Sequence, residues 1–452
     1  MQKEEEIKKT KALKTSIKEG AATSSSIALG DNYIALFALE LKAQPFLIGV
    51  ISAIAGIVGP LAQLYGNHLM QSHSRKQIVR RFVGLQAFLW LPLTLLAFLS
   101  WQGITTFMLP LLIIGYTLII VTAGITYPAW FSWMGDLVPQ KERGRYFSKR
   151  SRIAESMGMT LFLISGFVLD LFKTQGIVLL GFALFFTLAS ISRLISHHFF
   201  KKQYEPSIKI ERGDYFSFWA FLTRYDNYGK FAVSYALFNF AIMIASPFFA
   251  VYMVRELQFS YSFITLITLS SSVFYLLFLP IIGRFSDRFG NRRLFYLSAI
   301  LFAINPLLWI FITNPWGLIF FPQLIVGLAN AALVISIMNF TYDSTSPRHR
   351  GLCVAYTNVL GGIGVVAGSL LGGLLLNLIP LWFSKPFIIV FALAALLRLS
   401  IPLFFIRHIK ESKPKAQLHL PKVNISHPLR TMQGEIHWIR QLLQEKRGSQ
   451  KY

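Results

Sequence analysis

The stretch Leu279–Arg293, LPIIGRFSDRFGNRR, passes from an apolar run into four arginines around a single acid. About twenty apolar residues flank it on each side, enough to cross the roughly 30 Å core of a bilayer as a helix. Gly283 and Gly290 tolerate close approach and positive φ, so they allow a tight turn between two membrane helices. Asp287 can accept the positive end of a neighbouring helix and pair with an arginine. The stretch therefore predicts a charged hairpin between two membrane spans.

The whole chain is apolar enough to belong in a bilayer. Of its 452 residues, 54% are hydrophobic and only 14% are charged, whereas soluble proteins of this length carry a larger charged share. Apolar runs of about 20 residues can be placed twelve times along it. The predicted spans are 21–41, 45–69, 78–100, 107–134, 147–172, 177–199, 231–254, 262–282, 294–313, 318–342, 352–378 and 387–406.

The positive charge lies mainly on one side of this topology. The chain has 44 Lys and Arg residues and a formal net charge of +24, and most of these residues fall in the N-tail, the even-numbered connections and the C-tail. The opposite side shows only Lys42, Lys173, Arg255 and Lys385. This bias follows the positive-inside rule, which places both termini in the cytoplasm. The expected partner of the charge is anionic membrane lipid, and no nucleic acid partner is expected.

Other kinds of site are excluded or disfavoured. Cys353 is the only cysteine, so an intrachain disulfide and a cysteine-clustered metal site are impossible. The chain lacks a Gly-x4-Gly-Lys-Ser/Thr loop for ATP, which favours an ion gradient as the energy source. No cofactor and no metal are expected. Residues 1–20 mix Glu and Lys without an apolar core, unlike a cleaved signal peptide, so we expect the first span to be the insertion signal.

Two segments of the first half recur in the second half. The spacing of Gly and Arg in 66–75 matches that in 283–292, and the Asp, Arg and Gly of 136–144 recur in 343–351 at a constant offset of 207 residues. Such recurrence indicates two structural repeats of six spans each. We therefore predict a cytoplasmic N-tail, a first bundle, a cytoplasmic linker, a second bundle and a basic cytoplasmic C-tail, at 1–20, 21–199, 200–230, 231–408 and 409–452.

A family resemblance rests on the charged hairpin and the apolar runs around it. The pattern is Gly283, three residues, Asp287, Arg288, one residue, Gly290, one residue, Arg292 and Arg293. This pattern resembles the signature loop of the major facilitator superfamily of membrane transporters, in its prokaryotic type. Over roughly residues 21–408 the resemblance implies an all-α membrane protein of 12 transmembrane helices in two six-helix repeats. It also implies alternating access, in which the halves rock about a central site.

The same resemblance implies a conformational latch, with Asp287 near the start of span five. The latch residues are Gly283, Asp287, Arg288, Gly290, Arg292 and Arg143. It further implies that spans two and eleven face each other, as do spans five and eight. Gly364, Gly368 and Gly372 form two overlapping small-xxx-small units on span eleven, so a second helix can pack closely along them. We expect this stripe to suit the contact with span two.

Asp31 is the most costly residue in any predicted span. It lies ten residues from each end of span one, near the bilayer midplane, where an unpaired acid costs about 2.5–3.5 kcal/mol on insertion scales. No span of the second half has an acid at its centre. One hypothesis makes Asp31, beside Asn32, the proton-coupling or cation-recognising acid. The alternative is that residues 30–32 form a kink whose carboxylate is tied to a neighbouring helix.

Further candidates for a substrate site are hydroxyl, aromatic and amide side chains within spans. They are Thr126, Tyr127 and Trp130 of span four, Asn239 of span seven and Asn330 of span ten. An aromatic cavity with one acid favours amphipathic or cationic compounds over sugars or polyanions. Glu155 is expected to pair with Arg152 in a structural role, Glu40 to be solvated, and Asp170 to have no special role.

The expected function is secondary active transport of a small solute across the plasma membrane. We expect it to proceed by alternating access and to be coupled to protons. We expect a monomer. An uncoupled uniporter is one alternative, and a membrane-embedded enzyme or a non-transporting receptor or scaffold is another. An enzyme should present paired acids or a His-acid set at one membrane face, and His197 and His198 have no acid nearby in the sequence.

Overall fold

A computed structural model describes residues 2–139, 143–206, 227–344, 350–379 and 385–404, together with Phe218, Phe221 and Lys410. The predicted C-tail, apart from Lys410, and most of the predicted linker lie outside these residues. Inside helices, some side chains also lie outside the description, at residues 2–5, 143–145, 148, 284, 287–289, 342–343, 350–352 and 402–403.

The first half is a run of helices that follow the predicted spans closely. They are α1 Gln2–Leu29, α2 Ile34–Glu40, α3 Pro45–Leu69, α4 Arg75–Trp101, α5 Met108–Leu137, α6 Arg143–Thr174 and α7 Val178–Lys202. Helix α3 has both predicted ends. Helix α1 begins at Gln2, so the segment predicted as an N-tail is helical and continuous with the first span. Its cytoplasmic location stays a prediction.

The second half repeats this arrangement. Its helices are α8 Asn227–Met243, α9 Phe248–Arg255, α10 Tyr261–Phe289, α11 Asn291–Phe311, α12 Pro315–Ser344, α13 Arg350–Leu378 and α14 Pro386–Phe404. In the described residues, 10 helices are long and apolar enough to cross a membrane, and Pro386–Ile401 is a shorter apolar helix. The prediction of an all-α membrane protein is confirmed. We call the membrane face with the connections 41–44, 102–107, 175–177, 256–260 and 312–314 the far face, and the opposite one the near face.

The first span of each half is broken. In the first half, Asp31–Tyr33 forms a 3₁₀ turn between α1 and α2. A Cβ at Gly30 would overlap the Trp90 ring, so only glycine lets α4 approach the chain at this point. In the second half, the break falls between α8 and α9, where Pro247 lacks the N–H that would continue the helical hydrogen bonding.

A buried arginine from the last helix of the second half closes that break. Arg398 is fully buried and donates to the carbonyls of Ala241 at 3.2 Å, Ile242 at 2.7 Å and Phe302 at 2.9 Å. The carbonyls at a helix C-terminus lack intrahelical partners and carry partial negative charge, which is why a guanidinium can satisfy them. Arg398 therefore ties α14 to both α8 and α11.

The charged hairpin turns at a single residue. Gly290 has φ +96° and is the only residue between α10 and α11, and its N–H donates to the Ser286 carbonyl at 3.0 Å. The Ser286 hydroxyl donates to Asn291 Oδ1 at 2.5 Å and accepts from Asn339 Nδ2 at 3.0 Å. These polar contacts attach the hairpin to α12.

The halves pack mainly through α3 against α13 and α6 against α10. Gly49 lies against Ser369, and a Cβ at Gly362 would meet the backbone of Gly56, so small residues bring α3 and α13 together. The stripe Gly364, Gly368 and Gly372, which we expected to serve this contact, instead lies against the backbone of α8 and of the break that follows it, in the same half. The reason is helix geometry, because positions one residue apart are about 100° apart around the axis.

Candidate functional site

A cavity of about 330 Å³ lies between the halves, and we call it the interhalf cavity. Helices α1 and α6, the Asp31–Tyr33 turn and α10 supply its wall. Its lining is Ser24, Ile27, Ala28, Asn32, Glu155, Gly158, Met159, Phe162, Thr268, Leu269 and Ser272. Asn32, a predicted site residue, is therefore in it. The acid on its wall is Glu155, to which we had assigned a structural role, and its side chain is exposed there.

The contact of α6 with α10 closes the interhalf cavity on its far side. A Cβ at Gly166 would overlap the Thr265 side chain, so the two backbones come together at this level. Glu155, Met159 and Phe162 lie further along α6 toward the near face and line the cavity. The cavity therefore sits on the near side of a tight interhalf contact.

Carboxylates close the far face across the two halves. Asp170 accepts hydrogen bonds from the backbone N–H groups of Tyr261 at 2.7 Å and Ser262 at 2.9 Å, and the Tyr261 hydroxyl donates to Glu40. Lys173 Nζ lies 5.2 Å from the centre of the Tyr261 ring. We call Glu40, Asp170, Lys173, Tyr261 and Ser262 the far-face clasp.

Within the far-face clasp, the Asp170 carboxylate caps the N-terminus of helix α10. The first N–H groups of α10 have no intrahelical acceptor and carry partial positive charge, so the Asp170 carboxylate caps them. The cap is unusual because α6 of one half supplies it to α10 of the other. The expectations that Glu40 is solvated and that Asp170 has no special role were wrong, because their partners lie 221 and 91 residues away.

Two more hydrogen bonds cross the halves on the far face. The Arg255 guanidinium donates to the Ala43 carbonyl, and Asn377 Nδ2 donates to Gln44 Oε1 at 3.3 Å. Both link the connection after the first span to the second half. The structure is thus closed at the far face.

A group of charged and hydroxyl residues is buried within the first half, and we call it the N-half charge cluster. Glu19 is 2% exposed and accepts from Arg150 Nη2 at 2.8 Å, Thr23 Oγ1 at 2.5 Å and Ser196 Oγ at 3.1 Å. Arg193 Nη1 donates to Thr23 Oγ1 at 2.8 Å. The cluster ties α1 to α6 and α7, and its acid lies in the segment that we had assigned to the N-tail.

Asp31 lies beside this cluster, at the break of the first span. Its carboxylate is in electrostatic range of Arg193 on α7 and Tyr116 on α5. It is absent from the lining of the interhalf cavity. The coupling role of Asp31 and the alternative in which its carboxylate is tied to a neighbouring helix both remain predictions.

The span-four candidates also lie apart from the interhalf cavity. The Arg150 guanidinium lies 4.7 Å from the centre of the Trp130 ring, so Trp130 flanks the N-half charge cluster. The Thr126 hydroxyl donates to the Thr122 carbonyl of its own helix at 2.8 Å. Tyr127 is 52% exposed and stacks on Phe131.

Near-face ion pairing is seen in the first half. Arg75 pairs with Asp136 and donates to Glu205 Oε1 at 3.3 Å, with only 5% of its side chain exposed. In the second half, the Arg292 guanidinium lies 5.8 Å from the centre of the Tyr296 ring. The side chains of Asp287, Arg288 and Arg143 lie outside the described residues, so the predicted latch stays a prediction.

A second cavity, of about 440 Å³, lies inside the second half, and we call it the C-half cavity. Helices α8 to α12 line it. Both remaining predicted site residues, Asn239 and Asn330, are on its wall, and Thr268 is on the wall of both cavities. The predicted site residues therefore divide between two cavities and the surroundings of the N-half charge cluster.

Comparison with known proteins relates part of the chain to a protein family. Residues 231–443 match the model of the Major Facilitator Superfamily. This match covers the second half of the chain, which contains the charged hairpin. It confirms the resemblance carried by that hairpin, and it supports a transporter of this superfamily rather than an enzyme.

Individual relatives match over shorter stretches. The chain is 32% identical over 101 residues to "Tetracycline resistance protein, class H" of Pasteurella multocida, covering 22% of this chain and 24% of that protein. It is 28% identical over 137 residues to "Tetracycline resistance protein, class B" of Escherichia coli, covering 30% of this chain and 33% of that protein. The chain thus matches a quarter to a third of the length of these two relatives.

The fold matches solved structures over nearly the whole chain. A D-xylose-proton symporter superposes with a TM-score of 0.67 at 15% identity, covering 90% of this chain and 99% of that one. Similarity at this identity shows the fold alone, and the membrane-length helices agree with a multi-pass membrane protein.

Proposed function

We propose that this protein is a secondary active transporter that moves a small solute by alternating access across the plasma membrane, with both termini in the cytoplasm. One observation carries the proposal: both halves line the interhalf cavity, and the far-face clasp links the two halves on its far side. A site lined by both halves can open to either face when the halves rock. The positive-inside bias makes the closed far face the external one.

The proposed cargo of the interhalf cavity is an amphipathic or cationic compound. Glu155 supplies one negative charge to the wall, while Ile27, Met159 and Phe162 supply apolar surface. Methionine adapts its shape to varied ligands, which suits a site of broad selectivity. The relatives whose names refer to tetracycline resistance support export over import.

Proton coupling is assigned to Asp31 as the working hypothesis. Ionisable groups inside membrane spans commonly belong to proton pathways. Protonation of Asp31 would remove one of the two negative charges that Arg193 faces, leaving Glu19 as its acidic neighbour. Because Arg193 lies on α7 and Asp31 at the break of the first span, this change would alter a contact between two helices of the first half.

The test uses proteoliposomes that contain a pH-sensitive dye. Wild type, Asp31→Asn and Glu155→Gln are compared for proton movement driven by a panel of cationic compounds. We expect Asp31→Asn to abolish proton movement, and Glu155→Gln to raise KM for cationic cargo while proton coupling persists. Unchanged, pH-dependent transport by Asp31→Asn would exclude Asp31 as the coupling acid. Cargo flux without proton movement in the wild type would favour the uniporter alternative.

A further inference from the structure

Helices α6 and α10 run antiparallel and keep one register along their contact. Asp170 accepts a hydrogen bond from the backbone N–H of Tyr261, and four residues away on each helix Gly166 lies against Thr265. Beyond that level, both helices line the interhalf cavity, which lies between them. The pair is therefore in contact toward the far face and separated toward the near face.

An acid and a tyrosine face each other at the separated end of this pair. Glu155 lies 15 residues from Asp170 along α6, and Tyr275 lies 14 residues from Tyr261 along α10. Each interval is about four turns, or about 21–23 Å of α-helix, so each residue shares the helix face of its counterpart in the far-face clasp. The common register thus places Tyr275 opposite Glu155, at the near-side rim of the interhalf cavity.

Both side chains are free to form a new contact. Among the described residues, neither the Glu155 carboxylate nor the Tyr275 hydroxyl makes a hydrogen bond. Glu155 is exposed and Tyr275 is partly exposed, and Tyr275 lies within electrostatic range of the Glu155 charge. A carboxylate accepts and a phenol donates, so the two groups can pair directly when the gap between the helices narrows.

The far end of α10 already shows a contact of this kind. There the Tyr261 hydroxyl donates to Glu40, an acid of the first half. In alternating access, the near face closes as the far face opens. Rocking of α6 against α10 would therefore separate Tyr261 from Glu40 and bring Tyr275 toward Glu155.

We infer that Tyr275 donates a hydrogen bond to Glu155 when the near face closes, so that α10 has one tyrosine contact to the first half in each state. The inference rests on the alternating access proposed above and adds a residue that the proposed function does not use. Glu155 then has two alternative partners, the cationic cargo while the near face is open and the Tyr275 hydroxyl once it is closed. Tyr275 is a positioning residue that acts through Glu155, and its contact favours release of cargo to the far face.

The test measures how readily the interhalf cavity opens to the far face. Cys353→Ser with Asn32→Cys leaves one cysteine in the chain, on the cavity wall. A membrane-impermeant maleimide is added at the far face of the full-length protein in vesicles of known sidedness. We expect Tyr275→Phe to slow labelling about two- to twelvefold, because the state with a closed near face loses one hydrogen bond.

A matched control lies on the same helix. Tyr261→Phe removes the same hydroxyl at the far end of α10, and it should speed labelling because the far-face clasp loses its bond to Glu40. A general loss of packing would move both variants in the same direction, and thermal unfolding checks that both are folded. Tyr275→Phe added to Glu155→Ala should cause no further slowing, since its partner is already absent.

A second measurement detects the contact directly. In the Cys353→Ser background, Glu155→Cys with Tyr275→Cys should be linked by a short bifunctional thiol reagent. Linking should increase when Asp170→Asn weakens the far-face clasp. The control pair is Glu155→Cys with Leu277→Cys, because Leu277 is 61% exposed and lies about 200° around α10 from Tyr275.

The inference is overturned if Tyr275→Phe labels at least as fast as the protein with the native tyrosine, or if the cysteine pair links no better than its control. Far-face labelling of Asn32→Cys together with either result would leave alternating access standing and exclude only the tyrosine contact. No far-face labelling in any variant, with no linking of the pair, would exclude both this inference and the proposed function.

Discussion

At the residue scale, the stability of the first half depends on a buried acid, Glu19, which the local sequence does not distinguish from other acids. Glu19 is 2% exposed and faces two arginines, Arg150 directly and Arg193 through Thr23. Removing one member of a buried charged group leaves the others uncompensated, and this is strongly destabilising. Glu155 is a contrasting case, because its side chain is exposed to the interhalf cavity.

The same substitution at these two positions should therefore have different effects. We expect Glu19→Gln to lower the free energy of unfolding by roughly 3–5 kcal/mol. Glu155→Gln should change it by no more than about 0.5 kcal/mol, as exposed substitutions usually do. Denaturant titration of both variants in detergent measures the difference. Equal stabilities of the two variants would contradict the assignment of Glu19 to the core of the charge cluster.

At the element scale, helix α13 approaches α8 through backbone rather than side chains. A Cβ at Gly364, Gly368 or Gly372 would overlap a carbonyl oxygen of α8 or of the break that follows it. In a membrane, helices associate through close packing because lipid tails are as apolar as the side chains. The stripe of Gly364, Gly368 and Gly372 thus packs α13 against its own half. Adjacent positions on α13 face the other half.

We expect Gly368→Ala to destabilise the protein by about 1–3 kcal/mol, because backbone of α8 must move to admit the methyl group. The control is Gly135→Ala in α5, where a Cβ would meet no atom within 4 Å. That variant should gain roughly 0.5–1 kcal/mol from helix propensity. Thermal unfolding of the two variants tests the opposite signs, and a stable Gly368→Ala would show that the α8 contact is looser than described.

At the scale of the whole molecule, the proposed alternating access assigns the far-face clasp a role in holding the halves in one of two states. Asp170 places a negative charge at the N-terminus of a helix in the other half. Such a charge contributes about 0.3–2 kcal/mol. Its loss should therefore raise the ratio of far-face-open to far-face-closed protein by roughly two- to thirtyfold.

The variant Asp170→Asn keeps the size of the side chain and removes the charge. Cys353 is the only cysteine, so Cys353→Ser with Asn32→Cys reports on the interhalf cavity alone. We expect a membrane-impermeant maleimide added at the far face to label this cysteine faster in the Asp170→Asn background. Glu256→Gln, at an exposed acid of the same face, is the control. If both variants label at the wild-type rate, the clasp does not set the conformational equilibrium.

The sequence by itself determined the membrane class, the twelve apolar segments and the repeat. These properties are readable locally because a chain in lipid must satisfy its backbone hydrogen bonds within each helix, which requires long uninterrupted apolar runs. The hairpin around Gly290 could also be predicted from local sequence, because its turn depends on one residue. Most predicted span ends lie within about four residues of the helix ends, and those of Pro45–Leu69 coincide. The exceptions are the start of the first helix at Gln2 and the end of Tyr261–Phe289.

Only the tertiary structure decided which polar residues meet. Glu19 and Arg150 are 131 residues apart, and Glu40 and Tyr261 are 221 apart. Spacing within a helix predicts which face a residue occupies, but not which neighbouring helix lies against that face. For that reason Asp31, the conspicuous acid of the sequence, lies beside Arg193, while Glu155 lines the interhalf cavity. Helix packing brings distant charges together, and that packing is decided by shape across the whole bundle.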